Sequence, residues 1–137
     1  MGAKPSEMQK EIYKTAVEML FKFQELLKPG VTTHELARKR PKPGENFKSM
    51  EQIKKWRASW SNHFGGIGIS WDSAPYFYSQ EDPEFVLERN MILAYHAIFA
   101  TEGEAGGVAI ENTYRVTETG YEIMTKWPYE EIQILGL

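Results

Sequence analysis

Cysteine is absent from the 137-residue chain, which excludes disulfides and thiolate chemistry. Aspartate is nearly absent, limited to Asp72 and Asp82, and there are only three histidines, so carboxylate chemistry falls almost wholly to glutamate. No apolar run approaches the roughly 18 to 20 residues needed to span a bilayer. The opening MGAKPSEMQK lacks the apolar core and cleavage pattern of a secretory signal, so the expectation is a cytoplasmic protein with no membrane partner. Basic residues are scarce in the second half. Residues 1 to 60 hold 13 Lys and Arg against 7 acids and residues 61 to 137 hold 3 against 12, so halves of about +6 and −9 attract each other.

At this length the expectation is one domain, since domains cluster at about 100 to 150 residues. The basic stretch ARKRPKPGENFK, residues 37 to 48, has no aromatic stacking platform beside it, and it reads as a solvated connector with no nucleic-acid partner.

The first element is expected over residues 6 to 28. Ser6 and Gln9 form a capping-box pattern, and Ile12, Ala16, Leu20, Phe23 and Leu27 recur at helical spacing until Lys28-Pro29-Gly30 ends the run. Thr32 and Glu35 open a second, short helix that Pro41 and Pro43 stop. A third is expected from Ser49, with Gln52 as its capping partner and Ile53, Trp56 and Trp60 on one face.

After residue 62 the periodicity becomes strand-like, in Phe64 to Trp71, Met91 to Phe99 and the alternating Val108 to Val116. Thr117-Glu118-Thr119-Gly120 supplies a turn before Tyr121 to Thr125, giving a hairpin. Helices followed by an antiparallel sheet make an α+β fold: a helical layer over about 6–61, a sheet over about 62–127 and a C-terminal tail over 128–137.

The stretch GGVAIENTYRVTETGYEIMTKWP, residues 106 to 128, resembles the pita-bread hydrolases, which include methionine aminopeptidase, Xaa-Pro peptidases, creatinase and ectoine hydrolase. Upstream, LERNMILAYHAIF, GGIGISW and LLKPGVTTHEL are similar to three further family segments, so the likeness covers roughly residues 12 to 128, the latter half of the catalytic domain. It implies a partial pita-bread fold and, as substrate, a small amide, an N-terminal peptide or an amidino compound.

The resemblance also implies a dinuclear metal site of two Asp, one His and two Glu, a set suited to two close divalent ions. The two Asp would precede residue 1. The His position falls on Gly65, the first Glu position on His96 and the second on Glu111, so Glu111 alone is unchanged. A second register sets His63 against the family histidine by matching His63-Phe64-Gly65-Gly66. Asp72 falls where many members place a substrate-contacting His, with Trp71 and Tyr76 near it in sequence.

Each of these residues also has a plain structural reading. Glu111 reads as a ligand, as a general base or as an inherited carboxylate satisfied by hydrogen bonds, His96 as a core histidine or as one half of an acid/base pair, and Asp72 as part of a surface loop. Gly65, Gly66 and Gly68 read as backbone geometry, because no helix follows to cradle a phosphate.

The expected catalytic residues are therefore His96, Glu111 and His63, and the expected substrate contacts are Trp71, Asp72 and Tyr76, with no cofactor and no metal. The expected partner is a second copy or a second chain that supplies a missing half-domain, with a small-molecule or peptide ligand. Two functions stay open: a hydrolase subunit that has lost its own metal site, and a noncatalytic binding or scaffold protein that reuses the cleft.

Overall fold

The computed structural model describes residues 4–42, 59–66, 73–77, 83–100 and 107–132. Helix α1, Glu7–Gln24, starts at the expected capping box: Gln9 N donates to Ser6 Oγ at 3.2 Å and Ser6 N donates to Gln9 Oε1 at 2.8 Å. Ile12, Ala16, Leu20 and Phe23 are buried along one stripe. The helix ends four residues before the expected Lys28, and Gly30 turns the chain at φ +84°, where a side chain would be strained.

Helix α2, Thr33–Lys39, is capped by Thr32, whose Oγ1 accepts from Glu35 N at 3.1 Å. Thr33 ties it to the later chain. Its hydroxyl donates to Phe85 O at 3.0 Å and accepts from Phe85 N at 2.8 Å, while Leu87 N donates to Val31 O. Among the described residues no helix is long and apolar enough to cross a membrane.

Five strands follow: β1 Ser59–Gly66, β2 Ser73–Phe77, β3 Ile92–Ala100, β4 Gly107–Val116 and β5 Tyr121–Ile123. They form one antiparallel sheet in the order β2-β1-β3-β4-β5. Alternation sets its two faces. Leu93, Tyr95, Ala97 and Phe99 on β3 and Ile110, Asn112, Tyr114 and Val116 on β4 are buried, and α1 packs against these two strands. The architecture is α+β, with N-terminal helices on an antiparallel sheet.

Further boundaries differ from the sequence expectation. Trp60 belongs to β1, paired with Phe99, and not to a third helix, so the sheet begins at Ser59 rather than near 62. Its neighbours Ser59, Ser61, Asn62 and His63 are poor helix formers, and nine-residue β3 offers a full-length edge for pairing. The rest of the expected third helix, 49–58, and of the glycine-rich strand, 67–71, lies outside the described residues. Strand β5 stops at Ile123, two residues early, and the expected tail joins the core through Tyr129, which is 7% exposed.

Candidate functional site

On β3, His96 alternates with Tyr95 and Ala97 and so shares the sheet face turned away from α1 with Ile92, Ala94 and Ile98. It is half-buried there, with Nδ1 out of contact with solvent. On β4, Glu111 lies between buried Ile110 and Asn112 and takes the same outer face, also half-buried. The ladder register makes His96 and Glu111 direct partners, and it makes His63 on β1 the direct partner of His96. Three residues that the sequence scatters over the chain therefore stand in one transverse row across three adjacent strands. Opposed positions in an antiparallel pair have Cβ atoms about 4.5 to 5.5 Å apart, within reach of an imidazole and a carboxylate.

The adjacent row on this face is Gly65, Ala94 and Thr113, and Tyr76 on β2 pairs with Gly65. This arrangement tests the dinuclear metal group that the resemblance implies. The row at Gly65 carries no imidazole or carboxylate, and at His96 a single neutral nitrogen replaces the carboxylate that would bridge two ions. Among the described residues no group of three or more His, Asp or Glu is disposed to hold a metal ion. In these two rows Glu111 is the one carboxylate. Trp71 and Asp72 lie outside the described residues.

A cavity of about 380 Å³ opens beside Glu111, walled by Tyr13, Ala109, Ile110, Trp127, Tyr129 and Ile132. Tyr129 builds one wall by donating its hydroxyl to the Glu111 carbonyl. Its phenol pKa is raised above the usual value, first by burial and then by the nearby Tyr13 and Glu111. That of Tyr13 is raised by burial, partly opposed by its contact with Trp127 and reinforced by Glu130. These aromatics escaped the sequence reading because Trp127-Pro128-Tyr129 follows the last strand and has no periodicity. Its signal was two aromatic residues flanking a proline at the junction of the expected sheet, 62–127, and the expected tail, 128–137.

The chain is similar to known proteins over most of its length. The profile of metallopeptidase family M24 matches residues 1–118. The chain is 30% identical to dimethylsulfoniopropionate lyase DddP of Roseovarius nubinhibens over 118 residues, 84% of this chain and 25% of that protein. It is 29% identical to the Xaa-Pro dipeptidase of Pyrococcus horikoshii over 129 residues, 93% of this chain and 34% of that protein.

The prolidase structure from P. horikoshii superposes with a TM-score of 0.70 over 95% of this chain and 35% of that one, at 29% identity. The Xaa-Pro dipeptidase structure from Bacillus anthracis gives 0.71 over 98% and 35%, at 28% identity. The chain thus spans between a quarter and about a third of the length of these relatives. With the α+β sheet, the helical layer and most of its length matched, the chain belongs to metallopeptidase family M24.

Proposed function

We propose that this domain is a cytoplasmic hydrolase unit of the M24 type that no longer builds the family's dinuclear metal site. It works with a second copy or a partner chain on a small amide, a peptide or an amidino compound. The observation that carries the reading is the direct pairing of His96 with Glu111 on the sheet face free of α1. In this arrangement the Glu111 carboxylate is placed to orient the imidazole. His96 takes a proton from the water as its oxygen bonds to the carbonyl carbon, and returns that proton to the leaving nitrogen as the C–N bond breaks, leaving an acid and an amine. His63, next in the row, is the third proposed catalytic residue, and Tyr76, at the neighbouring register position, is a proposed substrate contact together with Trp71 and Asp72.

One observation favours a second reading, a noncatalytic binding or scaffold protein that reuses the cleft. The Gly65–Ala94–Thr113 row carries no metal-binding or acid/base side chain. One experiment separates the two. The purified chain is assayed against Xaa-Pro dipeptides, creatine and dimethylsulfoniopropionate, with and without added Mn²⁺ or Zn²⁺, beside its His96→Ala variant. Turnover that His96→Ala abolishes while the fold is retained supports the hydrolase. Substrate binding without turnover, unchanged in His96→Ala, supports the binding protein.

A further inference from the structure

The segment that follows β5 runs back along β4 as a strap. Met124 N donates to Thr113 O at 2.8 Å, Thr125 Oγ1 accepts from Thr113 N at 2.9 Å, and the Tyr129 hydroxyl donates to Glu111 O. Thr113 and Glu111 are the β4 members of two neighbouring rows on the sheet face that carries His96. The strap therefore grips β4 at two places, and the second is the backbone of the residue placed to orient His96.

Antiparallel pairing explains why a grip at this carbonyl matters. Val116 N donates to Met91 O, so Val116, Tyr114 and Asn112 turn their N–H and C=O toward β3, and Arg115, Thr113 and Glu111 turn theirs away. The peptide group that joins Glu111 to Asn112 is consequently held at both ends. Its N–H points to Tyr95 on β3 and its C=O to the Tyr129 hydroxyl. Turning that peptide plane turns the Cα–Cβ bond of Glu111, and a displacement of about 1 Å in a catalytic site can cost about a hundredfold in rate.

Both anchors of this plane are interior, Asn112 at 1% exposure and Tyr129 at 7%. Tyr129 also borders the cavity of about 380 Å³, across from Tyr13 and Trp127. A ring with open space on one side is not fixed by packing alone, so the bond made by its hydroxyl decides where it sits.

We infer, on the reading that Glu111 orients His96, that Tyr129 is a positioning residue for Glu111. Through its hydrogen bond to the Glu111 carbonyl it holds the carboxylate opposite His96 in the His63–His96–Glu111 row. A contact made eighteen residues further along the chain thus sets the geometry of the pair.

NMR of variant chains measures that coupling directly. The nitrogen resonances of the His96 imidazole are followed in the full chain, in Glu111→Gln, in Tyr129→Phe and in the double variant. Tyr129→Phe keeps the buried ring and removes only the hydroxyl, so circular dichroism is expected to be unchanged. Ser6→Ala serves as the control, since it weakens the cap of α1 without touching β4. Glu111→Gln is expected to displace the His96 resonances in the otherwise unaltered chain, and to displace them by roughly half as much or less once Tyr129 is Phe. Tyr129→Phe alone is expected to move them in the same direction, and Ser6→Ala to leave them in place.

An undiminished effect of Glu111→Gln beside Tyr129→Phe overturns the positioning role and leaves Tyr129 a purely structural contact. Equal movement by Ser6→Ala and Tyr129→Phe does so too, because it assigns the change to lost stability. If Glu111→Gln moves nothing in the otherwise unaltered chain, the pairing of His96 with Glu111 fails and the role of Tyr129 falls with it, so the two failures are told apart.

Discussion

The ring of Phe23 on α1 stacks on that of Tyr95 on β3, with centroids 3.9 Å apart and planes 7° from parallel. Phe64 of β1 joins the pair at 5.1 Å from Phe23, so three aromatic rings tie the helix to the two strands that carry His63 and His96. All three are essentially without solvent exposure.

Truncation at this contact is expected to be severe. Phe23→Ala should lower unfolding free energy by about 3 to 5 kcal/mol, measured by urea denaturation. Tyr95→Phe should be neutral or slightly stabilising, because the buried Tyr95 hydroxyl has no hydrogen-bond partner among the described residues and its loss removes a desolvation cost.

The buried tyrosines make stability sensitive to alkali. Burial raises the phenol pKa of Tyr95 and Tyr114 well above the ordinary value of 10.0, and raises those of Tyr13 and Tyr129 in the same direction. Folding therefore favours the neutral phenol. The associated stability is complete below pH 10 and is lost as pH rises from there toward the folded-state values, where the unfolded chain ionises first. Thermal melts from pH 8 to 11.5 should show a fall that begins near pH 10, and Tyr95→Phe should reduce its slope.

Ser6→Ala removes the hydroxyl that accepts from Gln9 N and breaks the reciprocal cap of α1. A loss of about 1 kcal/mol is expected in the same denaturation assay, with no change in His96 or Glu111 chemical shifts.

Gly107 opens β4 opposite Ala100, and a Cβ built there would stand 2.5 Å from the Phe99 carbonyl oxygen. Backbone cannot swing aside as a side-chain tip can. Gly107→Ala should destabilise by about 1 to 3 kcal/mol and speed amide exchange at the Phe99 end of β3.

Much of this was legible in the sequence because the signals were local. The start of α1 was written in Ser6 and Gln9, and the two faces of β4 in the alternation from Val108 to Val116. That alternation, with the parity of His96 and Ile98, already put His96 and Glu111 within range of one face. The exact row was not legible. Register depends on tertiary pairing, and the membership of His63 followed only from β1 starting at Ser59. Trp60 misled because its spacing from Ile53 and Trp56 is helical, while pairing with Phe99 outweighs local spacing. Tyr129 was invisible as a site residue because its contact with Glu111 joins distant parts of the chain.

The strand order has a kinetic consequence. Strands β3, β4 and β5 are consecutive in the chain and lie side by side, so they zip through short closures. Strand β1 must find β3 across all the residues that separate His63 from His96, and longer closures are slower and cost more chain entropy. The domain thus acquires His96 and Glu111 early and His63 late. A refolding experiment with pulsed deuterium labelling should find the β4–β5 amides protected first, and the His63–His96–Glu111 row should close only when the last strand arrives.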